Sequence, residues 1–209
     1  MPANPSQMQE LLYQALETEQ GGIKVYEAAI ECAVNDDLRK EWSEYLDQTR
    51  QHERTLRETL QAVGLEPDAE TPGRRVVRHI GESLVAAIRM SQEGDGPPEA
   101  AELVAAECVV FAETKDHMNW ELIGRLGLEL DGKQAEALKK AYDRVEDQED
   151  QHLYHSKGWT RELWIQSLGL PAVLPPPEEV QKVETAIGAA KAEASREMLL
   201  GNTPQTQRR

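Results

Sequence analysis

The sequence is poor in what most other folds and functions require. It has one Phe and few Ile or Thr, so the residues that build strands are scarce. Ala, Leu, Glu, Gln, Lys and Arg dominate instead, and an all-α fold follows. Only Cys32 and Cys108 occur, without CxxC spacing, which leaves no disulfide framework; each lies in an apolar helical context and reads as a reduced, buried thiol. No stretch reaches the roughly 18–20 apolar residues of a membrane span, and the start MPANPSQMQE has neither a basic region nor an apolar segment of a secretory signal. A soluble, cytoplasmic protein is expected. Basic residues are also short, 23 against 38 acidic, for a net charge of -15. Such a field repels nucleic acid and anionic membrane surfaces and draws in cations.

What is present is helical periodicity. From Ser6 to about Val34, apolar residues recur at Leu12, Leu16, Ile23, Tyr26, Ile30 and Ala33, with Glu19 inside the stripe. Asn35-Asp36-Asp37 makes a turn and N-cap. A second helix follows through Leu38, Trp42, Tyr45, Leu56, Leu60 and Val63 to Gly64, with Thr49 and His52 filling the gap in its stripe. Residues 64–98 hold two Pro/Gly-rich hinges round a helix that starts at Thr71-Pro72 and carries Val76, Val77, Ile80, Leu84, Val85 and Ile88. It reads as a crossover between two helical hairpins. A third long helix runs from about Glu99 to Leu126 and a fourth from about Lys133 to Trp159 or beyond, joined near 127–132. Residues 1–170 therefore form one helical bundle. Leu174-Pro175-Pro176-Pro177 ends it. Residues 171–209 give a Pro-rich linker, then a last amphipathic helix striped by Val180, Val183, Ile187, Ala190, Ala194 and Met198, and a disordered end, GNTPQTQRR.

Two hexapeptides match. Residues 47–52 read DQTRQH and residues 147–152 read DQEDQH, one on the second helix and one on the fourth, and Glu17-Thr18 on the first helix is echoed by Glu113-Thr114 on the third. Two hairpins related by duplication account for both. Metal centres in helical bundles take a Glu from each of two helices and a Glu-x-x-His pair from each of the others, because i, i+3 spacing sets both ligands on one face. The fourth helix supplies Glu149 and His152. The second supplies His52, with Thr49 where the carboxylate would stand. Glu19 is alone in its apolar stripe, and Glu107 is the only charge in AAECVVFA. An ionised carboxylate in such a setting needs a cation or an arginine. With turns near residues 35 and 129, antiparallel pairing sets Glu19 level with 50–52 and Glu107 level with 149–152.

On Glu19, His52, Glu107 and the Glu149-x-x-His152 motif, with four long helices and a long crossover, residues 6–159 resemble the ferritin-like superfamily of ferritins, bacterioferritins and rubrerythrins. The resemblance implies a four-helix bundle binding one or two iron ions, with Mn or Zn as alternatives, and O2 or peroxide chemistry at iron. With Thr49 in the helix 2 position, the missing oxygen falls to Glu53, Glu113 or Glu146. His117 could pair with Glu113, and Asp47, Asp147 or Glu53 could accept a proton from the other nitrogen of each histidine. Glu17 reads as a solvated or i, i+4 residue, His79 as a surface residue, and His155 either as a residue backing the ligands or as interfacial. Tyr26 and Tyr45 are placed about two turns from the site.

Two other functions compete with an iron oxidase or peroxide-consuming oxidoreductase. One is a metal-free interaction module, in which Glu19 and Glu107 would each have an arginine partner. The other is a carboxylate-bridged hydroxylase, which needs an apolar pocket beside the metals. A homodimer is expected, because the last helix needs an apolar partner.

Overall fold

The computed structural model describes residues 4–201 and contains eight helices, with no strand among the described residues. The first is α1, Pro5–Cys32, capped by the Asn4 side chain; α2, Asp36–Ala62, is capped by Asn35, which accepts from the backbone N–H groups of Asp37 and Leu38. The crossover helix α3, Pro72–Gln92, starts with the Thr71 hydroxyl accepting from Arg74 N–H at 3.0 Å. Next come α4, Pro98–Glu129, α5, Gly132–Tyr142, and α6, Glu146–Ser167. After the proline run a single turn, α7, Pro177–Val180, precedes α8, Ala186–Gly201. The disordered end expected of residues 201–209 lies, from 202 on, outside the described residues.

Helix α1 packs on α2 and α4, α4 packs on α5 and α6, and α2 meets α5 and α6, closing a ring round a common core. Outside the ring, α3 lies along α1 and α4. Its approach to α1 depends on two glycines: a methyl built on Gly81 would stand 3.3 Å from the Cα of Gly21. Of the expected α3 stripe, Val77, Val85 and Ile88 are buried, and Val76 and Ile80 face solvent, as an external helix allows.

Three boundaries differ from those read in the sequence. Helix α4 continues through Gly127, which lets the Lys139 backbone of α5 come within 2.9 Å of where a Cβ would sit; the link shrinks to Leu130-Asp131. The expected fourth helix is broken at 143–145, where Arg144 and Val145 N–H groups bond three residues back, to Ala141 and Tyr142, and Val145 turns into the core. The last helix is interrupted too. Lys182 takes φ 50°, and Val183 N–H reaches back to the Glu178 carbonyl in a Schellman-type stop. Consequently Val183 and Ala192 are buried, whereas Val180, Ile187 and Met198 of the expected stripe are largely exposed. Ion pairing helps hold the C-terminal segment: Arg161 grips Glu178 at 2.6 and 2.9 Å, and Arg196 Nε reaches the fully buried Glu162 at 2.8 Å.

The apolar core falls into two clusters. One centres on Tyr26, Leu38, Trp42, Ile88, Val109 and Trp159, the other on Leu12, Leu16, Leu56, Leu60, Trp120, Ile123 and Leu138. Between them α1, α2, α4 and α6 contribute polar and ionisable side chains instead.

Candidate metal centre

Six ligand-type side chains occupy that polar layer, each 3% exposed or less: Glu19 from α1, His52 from α2, Glu113 and Asp116 from α4, Glu149 and His152 from α6. His52 Nδ1 lies 2.8 Å from Glu149 Oε1 and 3.8 Å from Glu19 Oε1. His152 Nδ1 lies 3.5 Å from Glu113 Oε2 and 3.7 Å from Glu149 Oε1. Adjacent ligands on an ion with bonds of about 2.1 Å stand roughly 3 Å apart and opposite ones roughly 4 Å. Two triads, His52-Glu149-His152 and Glu19-Asp116-Glu149, each bring their ligand atoms within 4.8 Å of one another, and Glu149 belongs to both. The donor set is therefore compatible with two ions sharing one carboxylate.

The hydrogen bonds leave the atoms facing the centre bare. Glu19 Oε2, Glu113 Oε2, Asp116 Oδ1, both Glu149 oxygens and the Nδ1 of both histidines are buried without a partner. Buried acceptors are almost always satisfied, so this many converging in one layer point to a cation. No lysine or arginine pairs with any of the four carboxylates among the described residues. Burial drives Glu19 and Asp116 well above the usual carboxylate range, and neighbouring carboxylates push the same way. Glu149 is raised to about 8 by burial and then by Glu113. Burial also lowers His52, favouring the neutral imidazole that a metal takes.

The two hexapeptides are joined crosswise. His52 Nε2 donates to Gln148 Oε1 at 2.7 Å, and His152 Nε2 donates to Gln48 Oε1 at 2.7 Å. The glutamine of each repeat thus holds the histidine of the other in the tautomer with a free Nδ1 lone pair. This replaces the acceptors expected from sequence: Asp47 and Asp147 face solvent, and Glu53 is occupied by Gln20 and Arg57.

Of the five leading candidates the structure brings together Glu19, His52, Glu149 and His152, but not Glu107. Glu107 sits at the edge of α4 and accepts from Trp164 Nε1 at 2.9 Å. The apolar run round it hid the helix phase. The inward stripe is Ala105, Val109, Glu113, Asp116, Trp120 and Ile123, and Glu107 is two residues, about 200°, away from Val109. The same stripe could have found Asp116, which sequence reasoning missed. Glu113 moves from a reserve position to a central one. Glu146 bonds Tyr142 instead, and His117 pairs with Asp150 at 2.7 Å, both away from the centre.

Thr49 is not a ligand. Its hydroxyl donates to the Tyr45 carbonyl at 2.8 Å, and its methyl faces Gly22, where a Cβ would lie at 3.4 Å. The carboxylate absent from α2 is matched by the second one on α4, Asp116, so the count of four carboxylates and two imidazoles is kept. Glu17, read as solvated, is 4% exposed and held by Arg74 at 2.6 Å and Arg78 at 2.7 Å. Arginine compensation is therefore used in this core, at Glu17 and not at Glu19 one turn-half away. Tyr45 and Tyr26 are closer than expected, with ring centroids 4.1 and 6.2 Å from that of His152. No protein-family model, no curated protein and no solved structure matches the chain.

Proposed function

We propose that this chain is a ferritin-like four-helix metalloprotein whose buried layer holds two ions of the iron class and uses them in oxidation chemistry with O2 or peroxide. The observation that carries the reading is the set of unpartnered atoms on Glu19, Glu113, Asp116, Glu149, His52 and His152, converging with no lysine or arginine paired to the carboxylates among the described residues. Oxygen and imidazole donors suit Fe and Mn, and accept Zn. Bound iron would supply one-electron redox chemistry. The protein's part is to hold neutral imidazoles by Gln48 and Gln148, to exclude bulk water with two apolar clusters, and to offer four carboxylates whose protons leave as cations enter.

The metal-free module is disfavoured by Glu19, which lacks the arginine that reading requires. For the hydroxylase reading, an apolar cavity between α1, α3 and α4, lined by Gly22, Val25, Val77 and Phe111, has about 50 Å³. That is room for a diatomic molecule or a few waters, not for an extended organic substrate.

Metal analysis after purification without chelator tests the proposal. About two equivalents of Fe or Mn are expected, with loss of both in a Glu149→Gln/His152→Ala variant that keeps its helix content. Absence of bound Fe, Mn or Zn, together with no stability change on adding chelator, would overturn it.

A further inference from the structure

A second group of ligand-type atoms lies one turn above the buried centre, at the junction of α2, α6 and α7. A cleft of about 470 Å³ there is lined by five carboxylates against two lysines, together with Tyr45, Gln151 and His155. His155 is 4% exposed. Its Nδ1 lies 2.8 Å from the Tyr45 hydroxyl and 3.2 Å from Glu41 Oε1, and the Tyr45 hydroxyl lies 2.7 Å from the same Glu41 oxygen.

With His155 neutral, one proton arrangement satisfies all three groups. Tyr45 donates its single hydrogen to Glu41, and His155 Nδ1–H donates to Tyr45 and Glu41. That leaves His155 Nε2 with a lone pair, and Nε2 is buried with no partner. Glu41 Oε2 and Glu179 Oε2 are likewise buried without a close hydrogen-bond partner, with the Trp159 indole N–H turned toward Glu179. Acceptors from three elements therefore line one cleft. Burial and then the Glu41 charge raise Glu179 to about 7, so the two carboxylates repel across it.

We propose that Glu41, His155 and Glu179 form a second divalent-cation site, through which ions reach the buried centre past Tyr45. The assignment of the destination rests on the function proposed above; the site itself does not. Tyr45 links the two places, with its hydroxyl in the cleft cluster and its ring centroid 4.1 Å from that of His152. The three ligands do not meet the 4.8 Å closeness of the two buried triads. An ion held here keeps part of its water shell and binds more weakly, which suits a place of passage. Glu179 comes from the segment after the proline run, giving that segment a task in metal uptake.

Anomalous diffraction and calorimetry with Co(II) on the full chain test this, alongside stopped-flow loading of the metal-free protein. The expected result is one weak site in the cleft besides the tight buried sites, lost in Glu179→Gln and in Glu41→Gln while the tight stoichiometry is kept, with loading slowed at least fivefold at limiting Co(II). Glu179 lies outside the ring of helices, and an unchanged circular dichroism spectrum verifies folding of each variant. Co(II) in the buried centre alone, or an unchanged loading rate, overturns this proposal and leaves the proposed function standing. Co(II) in the cleft alone overturns the destination and the proposed function but keeps the site. Binding at neither place overturns both.

Discussion

With no metal bound, the layer sets four buried carboxyl groups together without a lysine or arginine salt bridge among the described residues, and pH then sets stability in an uncommon direction. Glu149 is raised to about 8, and Glu19 and Asp116 are raised well above their ordinary values, chiefly by burial. An unfolded chain gives up these protons near pH 4–4.5. Between about pH 4.5 and 8 the folded, metal-free protein therefore binds more protons than the unfolded chain, and its stability falls as pH rises. At 1.36 kcal/mol per unit, Glu149 alone contributes a loss on the order of 4–5 kcal/mol by pH 8, against a typical total of about 5–15 kcal/mol. His52, lowered by burial, works the other way in the lower part of the window, whereas Glu179, raised to about 7 chiefly by burial, and His117, raised by Asp150, add to the fall. Glu17, held below its ordinary value by Arg78 and Arg74 against the effect of burial, stays ionised throughout. Urea denaturation of metal-free protein at pH 5.5, 6.5 and 7.5 should show a midpoint that falls at each step, and reloading with Mn(II) should flatten the trend. A metal-free midpoint that stays level or rises, in protein with its helix content intact, would refute the reasoning.

Other substitutions separate the parts of the centre. Glu113→Gln should weaken Mn(II) binding tenfold or more in calorimetry, whereas Glu107→Gln should change it less than about twofold, because Glu107 bonds Trp164 at the edge of α4. Gln48→Leu removes the acceptor that fixes His152 and should cost about 10–100-fold in metal affinity, with a similar loss for Gln148→Leu at His52. Arg74→Met leaves Glu17 with Arg78 alone and strands part of a buried carboxylate; a loss of about 2–4 kcal/mol in urea denaturation is expected, with metal stoichiometry unchanged.

The long helices were legible because their apolar residues repeat at helical spacing over many turns and their starts carry Asn35 and Thr71 at strong positions. The break at 143–145 was not, since no Pro or Gly marks it and the change is a local shift to three-residue hydrogen bonds. At the centre, Glu149 and His152 were legible from i, i+3 spacing, and Glu19 from its isolation in a stripe. Glu107 was misplaced because an apolar run gives burial of a segment but not the phase of one residue within it. Asp116 was hidden by Lys115 and His117 beside it, which made a buried position look like a wet face. The crossed glutamine bonds could not be read at all: they depend on the register between two helices nearly a hundred residues apart.

Those crossed bonds tie the two hairpins into one unit of function. A hairpin taken alone carries a histidine with nothing to orient it and a glutamine with nothing to orient, so neither half owns a working imidazole. The pair becomes competent only on docking, and any tilt of one hairpin against the other reaches both imidazoles together. On the proposed function, metal affinity becomes a direct gauge of how well the two halves are joined.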